Sequence, residues 1–163
     1  MGDTQKEKYL QGDIILTDFG ENNVGSEKTG YRPSVIISNN AMNEMSDNII
    51  VAPLTNAEHK KKNNYLHLLP TQVLLEKRFY NTLESDSVLQ LEDMRSVSKE
   101  RVGAKIGYVT KKTQREINKA FLDALGIIWY GKWSEVYLKR NIWLGSKAVS
   151  FGIKLWWNVR PYY

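Results

Sequence analysis

The chain has 163 residues, enough for one domain with a single substantial core and an appendage. A hydrophobic content of 42% and a charged content of 25% are ordinary for a globular protein and exclude wholesale disorder. The absence of cysteine excludes disulfides, thiolate nucleophiles and cysteine-ligated zinc, and His59 and His67 fit no metal-binding spacing. The start of the chain does not resemble a signal peptide, and the longest uncharged run is too short to span a bilayer. We therefore expect no membrane span and a reduced, cytoplasmic setting.

The net charge of +5 is concentrated at the C-terminal end of the chain. Residues 1–126 carry 17 Lys and Arg against 17 Asp and Glu, whereas residues 127–163 carry 6 basic residues and 1 acidic residue. All five tryptophans also lie in residues 127–163. This change in composition predicts a polar segment at 1–11, a domain at 12–126, and an aromatic, basic tail at 127–163 without an assigned role.

Three interpretations of the tail are open. Its aromatic side chains could pack on the domain as additional core. Aromatic residues interleaved with Lys and Arg also suit an arm that binds RNA or a membrane surface. The third interpretation is a segment produced by a shifted or extended reading frame.

The domain at 12–126 is predicted to consist mostly of strands. A loop rich in glycine and asparagine separates the first two strands, and the third has a continuous apolar run that is typical of burial on both faces. The expected strands are, in chain order, 12–19, 32–39, 48–55, 65–69 and 87–98. The connections are a long loop at 20–31, a turn or one-turn helix at 40–47, a charged loop at 57–64 and an ambiguous stretch at 72–83.

A helix is expected at the end of the domain. Thr113 and Glu116 have the spacing of a capping box, which satisfies two free amide donors at a helix start. The apolar residues that follow fall on one helical stripe, namely Ile117, Ala120, Phe121, Ala124 and Leu125. Gly126 is a suitable C-terminal stop. Together these elements predict a mainly β fold, a small antiparallel β-barrel with a C-terminal helix packed on it.

Arg32 and Thr55 are the first candidates for chemistry. Arg32 begins the second predicted strand and Thr55 ends the third, so antiparallel pairing of these strands would bring both residues to one sheet edge. Ser26, Glu27 and Lys28 lie in the loop that could fold over that edge. A guanidinium beside a hydroxyl suits a phosphate group, although a strand-start Arg and a strand-end Thr also fit plain surface positions.

Two ordered sequence blocks resemble the MazF/PemK family of toxin endoribonucleases. The first is residues 25–39, GSEKTGYRPSVIISN, and the second is residues 50–55, IVAPLT; Gly12-Asp-Ile precedes them. Residues 86–99, DSVLQLEDMRSVSK, are similar to a later strand of that family. The resemblance therefore covers roughly residues 12–126.

The resemblance implies an SH3-like β-barrel that forms a homodimer and acts as the toxin of a type II toxin–antitoxin system. It implies sequence-specific cleavage of single-stranded mRNA without a metal ion or other cofactor, with 2′,3′-cyclic phosphate and 5′-hydroxyl ends. The implied partners are the RNA substrate, a cognate antitoxin that blocks the RNA groove, and operator DNA only through the antitoxin complex. Arg32 and Thr55 match the family's catalytic residues. The expected RNA-binding residues are Ser26, Glu27, Lys28, Asn39, Glu92, Arg95 and Ser96.

This chemistry agrees with what the composition lacks. RNA supplies its own nucleophile, the 2′-hydroxyl, so the enzyme must orient that group and stabilise charge on the phosphoryl oxygens. Arg32 stays protonated and is a poor base, which leaves Glu27 as the nearest candidate carboxylate. Asp93 stands where many relatives carry Gln, and we expect this to alter base preference because a carboxylate only accepts hydrogen bonds.

The rival hypothesis is a non-catalytic SH3-like barrel that binds and inhibits a protein partner such as a topoisomerase. The presence of both Arg32 and Thr55 favours the nuclease. Neither histidine is assigned a catalytic role. The lysine run at 60–62 is interpreted as a solvated loop or as a source of nonspecific attraction to phosphates.

Overall fold

The computed structural model describes residues 8–22 and 24–127, so nearly all of the proposed tail and most of the polar segment lie outside it. The strands are β1 (Asp13–Asp18), β2 (Tyr31–Ile36), β3 (Asn48–Asn56), β4 (Lys61–Lys62), β5 (Tyr65–Leu66), β6 (Gln72–Leu75), β7 (Ser87–Gln90), β8 (Arg95–Ser98) and β9 (Val102–Tyr108). The helices are α1 (Asn40–Met45) and α2 (Lys111–Ala124). Short 3₁₀ turns occupy Ala57–Lys60, Leu91–Asp93 and Lys99–Arg101.

Seven of the described strands form one antiparallel sheet in the order β6-β7-β3-β2-β1-β9, with β8 also paired to β3. Strands β4 and β5 form a separate hairpin. The prediction of a mainly antiparallel β fold with a C-terminal helix is confirmed. Within the described ranges, no helix is long and apolar enough to cross a membrane.

The large sheet separates two apolar clusters, because successive side chains of a strand point to opposite faces. Ala52 and Leu54 of β3 belong to the first cluster, which α2 covers through Ile117. Ile49 and Val51, at the alternate positions of β3, belong to the second cluster. Strand β3 is therefore buried on both faces over most of its length, as its continuous apolar sequence predicted.

The strand expected at 87–98 is broken into two. Strand β7 pairs with Leu54–Asn56 of β3 and strand β8 pairs with Asn48–Val51, while the Leu91–Asp93 turn separates them. Leu91 is fully buried in the first cluster, so the chain leaves the hydrogen-bonded ladder to place that side chain inside. The turn leaves Glu92 and Asp93 beside the edge of β3.

The sequence missed strand β9. Gly103, Lys105 and Gly107 interrupt its apolar pattern, and its pairing with β1 shifts register twice, so neither alternation nor composition identifies it. The strand expected at 65–69 is only two residues long, and the ambiguous stretch at 72–83 contains β6.

The capping box is wrong in position, although the helix itself is confirmed. Helix α2 begins at Lys111, and its N-cap is Thr110, whose hydroxyl oxygen accepts the Thr113 backbone N–H at 3.2 Å. The Thr113 hydroxyl is buried and accepts a hydrogen bond from Tyr80 at 2.7 Å. Thr113, which the sequence predicted to be the helix cap, therefore connects α2 to the segment after β6 through this hydrogen bond.

The structure gives a physical reason for glycine at position 12, the first residue of the Gly12-Asp-Ile block that resembles the family. It has a positive φ of 86°, and a Cβ there would lie 2.7 Å from Gln114 Oε1 and 3.0 Å from Val109 Cγ2. We expect Gly12→Ala to lower the free energy of unfolding by about 2 kcal/mol, measured by urea denaturation. Gly25→Ala is the matched control, because Gly25 has a φ of 65° but no atom within 4 Å of a built Cβ. Equal losses in the two variants would contradict a packing requirement at Gly12.

Candidate active site

Arg32 and Thr55 lie on the same face at the same end of two paired strands. Strands β2 and β3 are antiparallel, with Ser34 opposite Pro53. Arg32 is two residues before Ser34 and Thr55 is two residues after Pro53, so alternation directs both side chains to one face. The antiparallel pairing that the sequence hypothesis required is present.

Both side chains keep hydrogen-bonding groups available. Arg32 donates from Nε to the Thr29 carbonyl oxygen at 2.9 Å, and its Nη2 donates to the same oxygen. Within the described part of the chain, neither Arg32 Nη1 nor the Thr55 hydroxyl makes a hydrogen bond. The guanidinium is thus oriented by the backbone of its own loop while retaining free donors, and the half-buried hydroxyl of Thr55 also remains a free donor.

The loop between β1 and β2 reaches toward the far edge of β3. Its base is closed by a hydrogen bond from Gly30 N to the Gly20 carbonyl oxygen at 2.7 Å. Lys28 Nζ lies 3.6 Å from Asp93 Oδ2, on the 3₁₀ turn between β7 and β8. The loop therefore reaches the turn between β7 and β8, while Ser26 and Glu27 are exposed near its tip. Its folding over the edge that carries Arg32 and Thr55 stays a prediction.

Glu92 is held in a network of amide and hydroxyl donors. It accepts hydrogen bonds from the Thr71 hydroxyl at 2.8 Å, from Gln72 Nε2, and from Gln90 Nε2 at 3.4 Å. Partial burial acts to raise the pKa of Glu92, but hydrogen bonds led by the one from Gln72 outweigh it and leave the pKa below its ordinary value. Glu92 is therefore an ionised acceptor and a poor proton carrier near neutral pH.

The Glu92 network predicts a pH dependence of stability. A lowered folded-state pKa contributes stability above the unfolded-state pKa of Glu92, and this contribution is lost as the pH falls through the folded-state pKa. We expect Glu92→Gln to destabilise the fold at neutral pH, because charge-assisted hydrogen bonds are lost, by an amount that solvent screening keeps small, and to have less effect in acid. Urea unfolding at several pH values measures this. Glu100→Gln, at an exposed carboxylate, is the control, and the same pH profile in both variants would contradict the network.

Gln72 and Gln90 are polar residues that the sequence hypothesis missed. They are opposite each other on β6 and β7, and Gln90 shares a face with Val88, which pairs with Thr55. Gln90 is 3% exposed, and among the described residues its Oε1 has no hydrogen-bond partner. The sequence did contain a signal for this network, namely a glutamine within an apolar strand. Because buried polar groups ordinarily have hydrogen-bond partners, such a residue indicates a polar contact inside the fold.

Arg95 and Ser96 line an open groove of about 490 Å³ between the start of the long loop and β8. The Arg95 guanidinium lies 4.5 Å from the centre of the Phe19 ring, and its Nη2 donates to the Phe19 carbonyl oxygen at 2.6 Å. Arg101 gives the groove a second positive charge. Arg32 and Thr55 are not among the residues that line this groove. The predicted site residues therefore do not all lie in one cavity.

Asn39 is placed apart from the other predicted site residues. It follows the end of β2 opposite to Arg32 and is the N-cap of α1, where its Oδ1 accepts the Met42 backbone N–H at 2.9 Å. This capping role accounts for an asparagine at the position. The structure does not bring its side chain to the end of the sheet that carries Arg32 and Thr55.

Comparison with known proteins identifies the family. Residues 10–125 match the family model described as the PemK-like, MazF-like toxin of type II toxin–antitoxin systems. The chain belongs to this family. The Endoribonuclease MazF of Staphylococcus saprophyticus is 38% identical to the toxin over 117 residues, which cover 72% of this chain and 91% of that relative.

Solved structures share the toxin's fold. An endoribonuclease in complex with its cognate antitoxin, from a mycobacterial species, has a TM-score of 0.57 and 26% identity, covering 74% of this chain and 97% of that one. MazF from Deinococcus radiodurans has a TM-score of 0.57 and 20% identity, covering 74% of this chain and 99% of that one. The predicted small β-barrel fold with a C-terminal helix is therefore confirmed.

Proposed function

We propose that this toxin cleaves single-stranded mRNA at specific sequences through attack by the RNA's own 2′-hydroxyl, without a metal ion. The toxin is an endoribonuclease, in keeping with its family and its 38% identity to an Endoribonuclease MazF. The observation that supports the catalytic assignment is the shared face at one end of β2 and β3, with Arg32 and Thr55 both retaining free donors.

In the proposed reaction, the 2′-hydroxyl gives its proton to a base and the 2′-oxygen attacks the adjacent phosphorus. The bond from phosphorus to the 5′-oxygen breaks, and the leaving 5′-oxygen takes up a proton from solvent water. The products are a 2′,3′-cyclic phosphate and a 5′-hydroxyl. The free donors of Arg32 stabilise the charge that develops on the phosphoryl oxygens, and the Thr55 hydroxyl donates one further hydrogen bond. Their fixed strand positions hold the phosphate in line with the attacking oxygen.

The proton of the 2′-hydroxyl needs an acceptor other than Arg32, which stays protonated. Glu27 is our candidate because it is an exposed carboxylate on the loop that reaches toward the far edge of β3. Glu92 is less suitable, since its lowered pKa and its hydrogen bonds to Gln72 and Thr71 favour a role as a fixed acceptor.

We assign RNA positioning to the groups around this centre. Ser26 and Lys28 contribute from the loop, Glu92 accepts hydrogen bonds from bases, and Arg95 and Ser96 contact the strand from the groove beside the loop. The proposed partners are the RNA, a second copy of the toxin, a cognate antitoxin that covers the RNA-binding face, and operator DNA through the antitoxin complex. Asn39 is the proposed RNA contact with the least structural support.

The test is incubation of purified toxin with a long transcript in the presence of EDTA. We expect discrete fragments whose ends carry a 2′,3′-cyclic phosphate and a 5′-hydroxyl, identified by mass spectrometry. A transcript with a 2′-deoxynucleotide before the cleaved bond is the control and should resist cleavage there. Cleavage of that control would contradict 2′-hydroxyl attack, and cleavage only after addition of a divalent metal would contradict metal independence. A complete lack of cleaved RNA would favour the topoisomerase-binding alternative.

A further inference from the structure

After β3 and a 3₁₀ turn, the chain forms a short hairpin of β4 and β5. The sequence had predicted a charged loop in this region. Lys61–Lys62 pairs with Tyr65–Leu66. Asn63 and Asn64 connect them with φ values of 51° and 66°, and a two-residue turn with two positive φ angles matches the twist of paired strands. The lysine run therefore has a defined geometry.

The pairing sorts the hairpin side chains onto two faces. A hydrogen bond from His67 N to the Lys60 carbonyl oxygen, at 3.1 Å, extends the pairing by one residue. On one face Lys61 lies 2.6 Å from Glu58 Oε1, beside the half-buried Leu66. The opposite face, which we call the basic hairpin face, consists of Lys60, Lys62, Tyr65 and His67.

The basic hairpin face has uncompensated positive charge beside an exposed aromatic ring. Among the described residues, neither Lys60 nor Lys62 has an acidic partner, in contrast to Lys61. The Tyr65 side chain is 74% exposed. Ammonium groups attract phosphates and an exposed ring stacks on an unpaired base, so this combination fits single-stranded nucleic acid.

The hairpin is anchored next to the candidate catalytic threonine. Ala57, two residues after Thr55, is buried, and its N–H donates to the Asp86 carbonyl oxygen at 2.8 Å. The Asn56 side chain accepts the Glu58 N–H at 2.9 Å and caps the 3₁₀ turn. The turn and β4 together span about 15 Å, a length of only a few nucleotides.

We propose that the basic hairpin face is a second RNA-binding surface, which holds the substrate strand on one side of the cleaved bond. Lys60 and Lys62 bind phosphates there, and Tyr65 stacks on one unpaired base. This inference rests on the proposed function, because the surface is useful only if RNA crosses the face that carries Arg32 and Thr55. It predicts that the toxin prefers substrates extending beyond the cleaved sequence.

The test compares two RNAs, one limited to the cleaved sequence and one extended by several nucleotides on both sides. We expect Lys60→Gln combined with Lys62→Gln to lower kcat/KM about tenfold on the extended RNA and to leave it unchanged on the short RNA. Tyr65→Ala should give the same selective loss. The matched control combines Lys111→Gln with Lys112→Gln, because it removes the same charge from the surface of α2.

Salt dependence gives an independent readout with an extended RNA that carries a 2′-deoxynucleotide at the cleaved position. Loss of two phosphate contacts to single-stranded RNA should reduce the slope of log affinity against log salt by about 1.4. Equal losses on both RNAs, no loss on either, or weakened antitoxin binding with unchanged RNA cleavage would overturn the proposal. Failure of the underlying function is distinguishable, because the unsubstituted toxin would then cleave neither RNA.

Discussion

Replacement of Arg32 by alanine is expected to lower kcat for RNA cleavage by about two to three orders of magnitude, the usual cost of losing a donor to a developing oxyanion. Arg32→Lys retains the charge but loses the planar fork, so we expect only partial activity. Single-turnover cleavage of the mapped RNA sequence measures both variants. We expect a large loss of kcat because the free Arg32 donors would bind the phosphoryl oxygens more strongly in the transition state, where the negative charge on these oxygens is greatest.

The control for this prediction is Arg115→Ala, which removes an exposed arginine on α2 and should leave cleavage unchanged. Thermal unfolding shows whether loss of the bonds to Thr29 alters the fold. A loss confined to KM would indicate that Arg32 only orders the loop. Cleavage by Arg32→Ala at nearly the rate of the unsubstituted toxin would refute the catalytic assignment.

Replacement of Thr55 by valine is expected to lower kcat by about tenfold to a hundredfold, because one hydrogen bond to a charged group is lost while the side-chain shape is kept. Thr55→Ser retains the hydroxyl and should keep most of the activity. The same single-turnover assay distinguishes the two variants. Since the Thr55 hydroxyl has no partner in the described part of the chain, its removal leaves no other group unpaired.

Thr82→Val is the matched control, since it removes an exposed threonine hydroxyl far along the chain from both candidate residues. It should cleave RNA at the rate of the unsubstituted toxin. Equal kcat values for Thr55→Val and Thr55→Ser would show that the hydroxyl takes no part. A combined Arg32→Ala and Thr55→Val variant should lose less than the product of the two effects if both groups bind the same phosphate.

The sequence predicted local features of the fold better than features that depend on distant contacts. Strands β1 to β3 have apolar patterns that identify them directly. Strand β9 carries two glycines and depends on irregular pairing with β1, about ninety residues away, so its own pattern is weak. The break at Leu91–Asp93 is likewise set by burial of Leu91 in a core made by other elements.

In the candidate site, too, the features set by neighbouring strands could be predicted from the sequence, and those set by distant contacts could not. Antiparallel pairing of two neighbouring strands was enough to predict that Arg32 and Thr55 share an edge. The network of Glu92 with Gln72 and Gln90 depends on pairing of β6 with β7 across a long connection, which no local pattern reveals. Asn39 shows what a family resemblance alone leaves out, because the local structure also uses this side chain as a helix cap, while its RNA contact stays a prediction.

The double burial of β3 couples the integrity of the enzyme to that of the whole domain. Leu54 and Val51 belong to different apolar clusters, so both halves of the core hold the strand that carries Thr55. Cooperative unfolding of both clusters is therefore what we expect to release β3 from β2, and with it the position of Arg32. We expect each toxin molecule to be either folded and active or unfolded and inactive. The RNA-cleaving activity in a cell should then be proportional to the number of folded molecules.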